Sequence, residues 1–452
     1  MNSLNRVKRG FYADSVALMR VAREISKDGI EASLMIGTPS NKALLQDSGL
    51  LTKEGKSARP DDLIIAVKGK KAGEALALAE RLLTSGPRTG SSNESFSSLT
   101  AARAFLPNAN LALISVPGAF AAAEARRALE RGLHVMMFSD NVPLADEVAL
   151  KDLARSRGLL LMGPDCGTAL IGGAPIAFAN AVPRGDIGIV SASGTGLQEV
   201  STLLARQGKG VSHGIGVGGR DLSEEVGGRM TLAALDALEA DPATRRIIVI
   251  SKPPAPSVTK TVVKKVGQLK KPVTLCLLGS PEKKFKKTLE EAAGFKPKNQ
   301  LKVKKAKGRI AGLFCGGTLC AEAEIILAQA GLPARAYRLI DLGDDEFTRG
   351  RPHPMIEPEL RNEYLAKALK EKGVGVVLLD VVIGYGAHAD PAGLLAGVLK
   401  KNRKLVIASV TGTEADPQVY SKQVRTLEDA GVIVAESNAQ AARIAAAAFV
   451  RA

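Results

Sequence analysis

The sequence GDIGIVSASGTGLQE at residues 185–199 recurs in altered form at residues 308–322, as GRIAGLFCGGTLCAE. An offset of 123 residues superimposes the two stretches and matches Gly194 with Gly317. In each copy an apolar run, typical of a buried strand, leads into a Gly-Thr turn and then into a helical pattern. We therefore predict that the chain contains two copies of one flavodoxin-like unit.

Each Gly-Thr turn predicts a helix N-terminus just past the carboxyl end of a strand. The free backbone N–H groups and the positive dipole end of such a helix favour anions, phosphate above all. Two copies in one chain predict two anion-binding helix ends that face one shared site. The candidate phosphate-binding residues are Ser193, Gly194, Thr195, Gly316, Gly317 and Thr318. For the two threonines, the alternative is simple capping of the helix.

Strand-like apolar runs alternate with amphipathic helical patterns through most of the chain. This alternation is typical of α/β proteins whose parallel sheets are covered on both faces. We predict a Rossmann-like domain followed by two flavodoxin-like, doubly wound domains. The predicted boundaries are 1–59 for a small N-terminal unit, 60–182 for the Rossmann-like domain, and 183–295 and 308–452 for the two flavodoxin-like domains.

The composition favours a soluble cytoplasmic protein without a metal site. Apolar residues make up 45 % of the 452 residues, yet no apolar run is long enough to span a bilayer. The N-terminus lacks the apolar core of a signal peptide. Four cysteines without a CxxC pair and four histidines argue against structural zinc.

The net charge of +16 is concentrated in one segment. Residues 252–307 contain 16 lysines and three acidic residues. A solvated lysine-rich face is one interpretation, and an electrostatic funnel for anionic ligands or an acidic partner is another. The segment has no nucleic-acid-binding motif, so nucleic acid is not expected as a partner.

Two histidines and a carboxylate are candidate catalytic groups. His388 and Asp390 follow the apolar run 376–382, where doubly wound sheets place ligands. His388 could be a general acid or a donor that polarises a carbonyl, with a surface-loop histidine as the alternative. His353 lies between two prolines and is a further candidate, with a rigid structural loop as the alternative.

Four more residues are expected to line the substrate cleft. Arg349 and Arg351 could bind a carboxylate through bidentate hydrogen bonds. Asp165 and Cys166 close a Gly-Pro-Asp-Cys turn, which we expect to border the same cleft.

Longer motifs resemble the acyl-CoA synthetase superfamily. The stretches VPGAF (116–120), MGPDCG (162–167), the first Gly-Thr turn and GIGVGG (214–219) resemble the alpha subunit of succinyl-CoA synthetase. The second Gly-Thr turn and the residues after it resemble the CoA-ligase domain of its beta subunit. The arrangement as a whole resembles the FdrA family, through GPDCGTA (163–169), DLGDDEF (341–347), GRPHPM (350–355) and GYGAHADP (384–391). The resemblance implies that the Rossmann-like domain binds CoA.

The resemblance also implies a phosphate site, with one departure that affects the mechanism. In the synthetase the two helix ends hold a phosphohistidine. Here the corresponding loop, 279–287, reads GSPEKKFKK, and no histidine occurs between His213 and His353. The chain also has no room for the nucleotide-binding part of the beta subunit, so a nucleotide would come only through a partner.

FdrA proteins are associated with oxamate carbamoyltransferase, which exchanges a carbamoyl group between oxamate and phosphate and needs no phosphohistidine. We therefore expect an enzyme subunit that transfers an acyl or carbamoyl group, with small anionic substrates such as carbamoyl phosphate and phosphate. Partner subunits or a homo-oligomer are expected. The alternatives are an acyl-CoA synthetase with a displaced nucleophile and a non-catalytic ligand-binding subunit.

Overall fold

The computed structural model describes residues 3–11, 18, 21–22, 24–26, 29–84, 96, 98–298, 303–348, 352–400 and 402–450. The chain divides into two compact units. The N-terminal unit comprises Met1–Ser98 and Asp345–Pro352, and the main unit comprises Leu99–Asp344 and His353–Ala452. Among the described residues, no helix is both long and apolar enough to cross a lipid bilayer.

The N-terminal unit is built on an antiparallel sheet of three strands in the order β1-β3-β2. Alternate side chains of the central strand enter two separate apolar clusters, so both faces of the sheet are covered. The elements are β1 (Ser3–Lys8), β2 (Glu31–Ile36), α1 (Pro39–Asp47), α2 (Lys53–Lys56), β3 (Leu63–Lys68), α3 (Ala72–Thr84) and α12 (Asp345–Thr348).

This pairing moves the first domain boundary. The sequence predicted that a Rossmann-like domain begins at residue 60, because the apolar strand β3 and the helix α3 look like the start of an α/β unit. In the structure β3 pairs with β1 and β2, and the unit extends to Ser98. The boundary therefore lies near residue 98 rather than between residues 59 and 60.

The main unit begins with a small parallel sheet in the order β4-β5-β6. Its elements are α4 (Leu99–Phe105), β4 (Leu111–Ile114), α5 (Gly118–Glu130), β5 (His134–Met137), α6 (Leu144–Ser156) and β6 (Leu161–Met162). The parallel strands and connecting helices agree with the Rossmann-like pattern predicted for this part of the chain.

The first flavodoxin-like domain, here called the first repeat, has six strands in the order β12-β11-β9-β10-β7-β8. The hairpin β7–β8 precedes residue 183, so this domain begins earlier than predicted. The elements are β7 (Thr168–Ile171), β8 (Ala174–Ala177), β9 (Arg184–Ser191), α7 (Gly194–Ala205), β10 (Val211–Gly216), α8 (Arg229–Ala240), β11 (Arg246–Ser251), α9 (Pro256–Val266), β12 (Val273–Leu277) and α10 (Leu289–Ala293).

The second repeat has five parallel strands in the order β15-β14-β16-β17-β18, next to a two-stranded ribbon β13–β19. Its elements are β13 (Ala306–Lys307), β14 (Arg309–Phe314), α11 (Gly317–Gln329), a 3-10 turn (Ala334–Ala336), β15 (Tyr337–Asp341), α13 (Glu359–Lys370), β16 (Val374–Val382), α14 (Pro391–Leu399), β17 (Leu405–Thr411), α15 (Tyr420–Asp429), β18 (Ile433–Ala435), α16 (Asn438–Ala448) and β19 (Phe449–Val450). The order β17-β16-β14-β15 repeats β12-β11-β9-β10, which confirms the predicted fold class.

The two repeats cap each other's final helices with buried glutamates. Glu199 of α7 accepts a hydrogen bond from the backbone N–H of Asn438, the first residue of α16, at 3.0 Å. Glu322 of α11 accepts one from the N–H of Leu289, the first residue of α10, at 2.6 Å. The Asn438 side chain also donates to Glu322 at 2.7 Å. Glu199 and Glu322 are the last residues of the repeated stretches 185–199 and 308–322. The duplication therefore includes these two glutamate caps.

Candidate functional site

The first glycine turn joins β9 to α7. Ser193 is the N-cap, and its Oγ accepts a hydrogen bond from the N–H of Gly196 at 2.9 Å. A Cβ on Gly194 would lie 2.9 Å from Oγ1 of Thr168, so any larger residue there would force the Thr168 side chain to shift. The first N–H groups of a helix have no acceptor within the helix. The N–H groups of Gly194 and Thr195 are thus oriented to bind an anion.

The second glycine turn joins β14 to α11, and two of its backbone N–H groups are already bonded to a carboxylate of the protein. The two carboxylate oxygens of Asp380, at the end of β16, accept the N–H groups of Cys315 and Gly316, each at 2.8 Å. Burial raises the pKa of Asp380 to about 6, while the nearby Arg361 cation opposes the increase. Because its N–H is bonded to Asp380, Gly316 cannot offer that group to a ligand, and Gly317 and Thr318 remain.

The structure brings the two turns into contact. A Cβ on Gly316 would lie 2.9 Å from Cγ2 of Thr195, so the Thr195 side chain packs against the other turn. Nζ of Lys252, the residue that follows β11, lies 3.0 Å from the position of a Cβ on Gly317. The Asp341 carboxylate, at the end of β15, approaches the same position. Burial raises the pKa of Asp341, with the Lys252 charge acting in the opposite direction.

Sequence reasoning missed Lys252, Asp341 and Asp380. The available signal was their position near the carboxyl ends of parallel strands, where such folds bind ligands. Lys252 follows β11, Asp341 ends β15, and Asp380 lies shortly before the end of β16.

A small pocket lies beside the first turn and includes both residues of the predicted Asp-Cys pair. It is lined by Asp165, Cys166, Gly167, Thr168, Ser191, Ala192, Ser193, Gly194, Gly216, Gly218 and Gly219. The Cys166 thiol donates to the carbonyl of Gly216 at 3.4 Å, and burial raises the pKa of Cys166 to about 12. Cys166 is therefore a protonated donor in this wall and not a thiolate nucleophile.

His353 lies against the end of the second sheet. Its Nδ1 accepts the N–H of Met355 at 3.2 Å, which leaves the proton on Nε2. Nε2 approaches the position that a Cβ on Gly343 would occupy. That Cβ position lies 2.7 Å from the carbonyl oxygen of Cys315 at the second turn. Burial lowers the pKa of His353 to about 4, so the ring is neutral at physiological pH.

His388 and Asp390 lie in a neighbouring loop. The His388 N–H donates to the carbonyl of Met355 at 2.7 Å, which ties this loop to that of His353. Asp390 is the N-cap of α14, and its carboxylate accepts from Gly393 at 3.2 Å and from Gln423 at 2.9 Å. These hydrogen bonds show that Asp390 caps the N-terminus of α14. Catalytic roles for His353, His388 and Asp390 stay predictions.

Two predicted residues lie outside the described residues. Arg349 and Arg351 fall in the interval 349–351, so the predicted carboxylate clamp stays a prediction. Within the described residues, no group of three or more His, Cys, Asp or Glu side chains is arranged to hold a metal ion.

The start of α5 lies in the domain for which the resemblance implies CoA binding, and the loop after β5 packs closely against it. The backbone carbonyl oxygens of Asp140 and Asn141 approach Gly118, the first residue of that helix, closely enough that a Cβ would clash with both. Only glycine therefore allows this close approach between the helix and the loop after β5.

Comparison with known proteins identifies the family. The uncharacterized protein YahF of Escherichia coli K12 is 41% identical, over 96% of this chain and 96% of its own length. The chain belongs to the FdrA family. Two family models also match this FdrA protein: the CoA-ligase model at residues 313–448, and the model of the AllF heavy metal-associated domain at residues 1–98.

More distant relatives match only part of this FdrA chain. The alpha subunit of ADP-forming succinate–CoA ligase from Aquifex aeolicus is 33% identical over 32% of the chain and 48% of its own length. The chain thus spans about half the length of that subunit. A solved acetyl-coenzyme A synthetase from Ca. Korarchaeum cryptofilum is 16% identical, covers 75% of this chain and 82% of its own, and has a TM-score of 0.31.

The name of the N-terminal family model implies a heavy metal, but the residues do not fit one. Soft metals are bound by thiolate and imidazole groups. Residues 1–98 contain no cysteine and no histidine. Residues 1–98 of this FdrA protein therefore lack the thiolate and imidazole ligands that such a metal would need.

Proposed function

We propose that the chain is the phosphate-binding subunit of a carbamoyltransferase that exchanges a carbamoyl group between oxamate and phosphate. The contact between Thr195 and Gly316 supports the proposal most directly, because it brings two helix N-termini from two repeats to one place. The loop that follows β12 contains no histidine, so the group bound between the turns is a substrate phosphate rather than a phosphorylated side chain.

In the proposed reaction, the amide nitrogen of oxamate attacks the carbonyl carbon of carbamoyl phosphate. The bond from that carbon to the phosphate oxygen breaks, and the departing phosphate takes up the proton that the amide nitrogen loses. The N–H groups of Gly194, Thr195, Gly317 and Thr318 would stabilise the charge that develops on the departing phosphate. The neutral His353 could donate its Nε2–H to the carbonyl oxygen, since it needs no protonation to do so.

An acyl-CoA synthetase is the second candidate, favoured by the CoA-ligase model that matches residues 313–448. A non-catalytic subunit is the third, favoured by the structural use of Asp390 as a helix cap. Both alternatives keep the anion site, but they differ in what the purified assembly converts. In all three cases the chain would work with partner subunits.

The assay is phosphate release from carbamoyl phosphate and oxamate by this chain together with its partner subunits. We expect oxamate-dependent release that the double variant Gly194→Asp, Gly317→Asp abolishes, because each aspartate places negative charge on an anion-binding turn. A folded double variant with unchanged activity would exclude the site. CoA-dependent turnover without any oxamate-dependent release would favour the synthetase.

A further inference from the structure

The two glycine turns differ in charge. At the second turn the fully buried Asp380 places a carboxylate on the N–H groups of Cys315 and Gly316. In the first repeat the matching position is Ile250. It follows Val249, which pairs with Val190 of β9, just as Asp380 follows Leu379, which pairs with Leu313 of β14. The Asp380 carboxylate already faces the buried Arg361 guanidinium at 3.8 Å. The Asp341 carboxylate beside Gly317 is therefore the one that needs a compensating positive charge when an anion binds between the turns.

Lys252 is in position to supply that charge. It stands two residues after Ile250 and extends from the first repeat to the second, with Nζ at 3.0 Å from the position of a Cβ on Gly317. Thr195, also from the first repeat, contacts the adjacent Gly316. The Lys252 ammonium group therefore lies where the two turns meet, on a residue that is exposed to solvent.

Other lysines of the segment 252–307 have different surroundings. Lys271 donates to the carbonyls of Leu238 and Asp241, at the end of α8. Lys287 donates to two carbonyls of its own loop, and Lys305 donates to that of Ala447. These bonds make them part of an ordinary solvated surface. Lys252 differs from them because its ammonium group is directed at a glycine turn of the other repeat.

We propose that Lys252 is the residue that selects a doubly charged phosphate group, free or in an acyl phosphate, at the junction of the two turns. This rests on the proposed function and deepens it by naming the side chain that determines the charge of the ligand. Lys252 offsets the Asp341 carboxylate, as Arg361 offsets that of Asp380, so that the N–H groups of Gly317 and Thr318 can bind an anion despite the two carboxylates. It takes no part in bond making or breaking.

The test is calorimetric titration of inorganic phosphate, and separately of carbamoyl phosphate, into the full chain and its variants. We expect Lys252→Gln to weaken phosphate binding about 10- to 100-fold, the loss typical of a charge-assisted hydrogen bond, and Lys252→Arg to retain most of it. The matched control is Lys264→Gln, an exposed lysine of α9 in the same segment, which should leave binding unchanged.

A second readout separates charge selection from a structural effect. As the pH rises and phosphate takes up its second negative charge, wild-type affinity should increase, and the affinity of a normally folded Lys252→Gln variant should increase less. Equal binding by wild type and Lys252→Gln would overturn the inference and leave the proposed function standing. If the wild type binds neither phosphate nor carbamoyl phosphate, both are wrong.

Discussion

Gly316 and Thr195 set the distance between the two glycine turns. A Cβ on Gly316 would lie 2.9 Å from Cγ2 and 3.0 Å from Oγ1 of Thr195, closer than side chains normally approach. The contact joins the side chain of Thr195 in the first repeat to the backbone of Gly316 in the second. Small changes at Gly316 should therefore separate the two halves of the anion site.

We predict that Gly316→Ala lowers the free energy of unfolding by about 1–3 kcal/mol, the usual cost of overpacking, and weakens phosphate binding. The variant Gly316→Ala, Thr195→Ser should recover stability, because it removes the methyl group nearest the new Cβ. Denaturant unfolding measures the first effect and calorimetry the second.

The control for that experiment is Gly397→Ala within α14. A Cβ at Gly397 would meet no atom within 4 Å, so this change should be neutral or stabilise the protein by up to about 1 kcal/mol. If Gly316→Ala behaved like this control, the turns would not be in the contact described.

Individual site residues differed in how readily the sequence revealed them. The turn residues stand together in one short motif, so Ser193–Thr195 and their second copy could be predicted as a group. Asp380, Asp341 and Lys252 come from the ends of three different strands, and their side chains converge only once the strand order is known. A lone lysine or aspartate after an apolar run marks the end of a strand, but it does not show which other residues that end faces.

At the scale of helices and strands, the exchanged glutamate caps link the repeats. Glu199 and Glu322 are both fully buried, and Asn438 donates to both, through its backbone to one and its side chain to the other. Burial raises the pKa of Glu322 to about 8. At neutral pH this carboxyl therefore holds a proton that it loses when the chain unfolds.

This sets the direction of a pH effect. The folded-state pKa lies above the ordinary value of 4.5, so the folded protein binds more protons between pH 4.5 and about 8. Through that interval the free energy of unfolding of the wild type should fall as the pH rises, relative to Glu322→Gln, which does not titrate. Denaturant titrations at several pH values measure the difference.

The matched control is Glu324→Gln, an exposed glutamate of the same helix α11. The free energy of unfolding of this control should change with pH in the same way as that of the wild type across the same interval. Parallel curves for Glu322→Gln and the wild type would contradict the assignment of a buried, proton-holding carboxyl to Glu322.

The duplicated elements were predictable because each copy repeats a contiguous apolar run, turn and helix. The domain boundaries were harder to predict from the sequence. The apolar strand β3 reads like the first strand of a Rossmann-like domain, but it pairs antiparallel with β1 and β2. Strand pairing is a non-local property, and alternating apolar runs do not determine which sheet a strand joins.

At the scale of the main unit, a buried ion cluster joins the Rossmann-like domain to the first repeat. Nζ of Lys151, fully buried on α6, donates to Glu147 of its own helix at 2.8 Å and to Asp221 of the first repeat at 2.8 Å. It also donates to the carbonyl of Val217 at 3.1 Å.

We predict that Lys151→Met lowers the free energy of unfolding by about 3–5 kcal/mol, because it leaves two buried carboxylates without their shared cation. The control Lys422→Met, at an exposed position on α15, should change it by less than about 0.5 kcal/mol. Denaturant unfolding followed by circular dichroism measures both. Similar values for the two variants would show that the cluster does not hold these domains together.

The central claim is that the junction of the two repeats binds a phosphate-bearing substrate. Its most direct test is calorimetric titration of the purified wild-type chain with carbamoyl phosphate and, in parallel, with CoA. The proposal predicts saturable binding of carbamoyl phosphate that inorganic phosphate competes away and that the Gly194→Asp, Gly317→Asp variant loses. Tight binding of CoA, with no binding of carbamoyl phosphate, would contradict it.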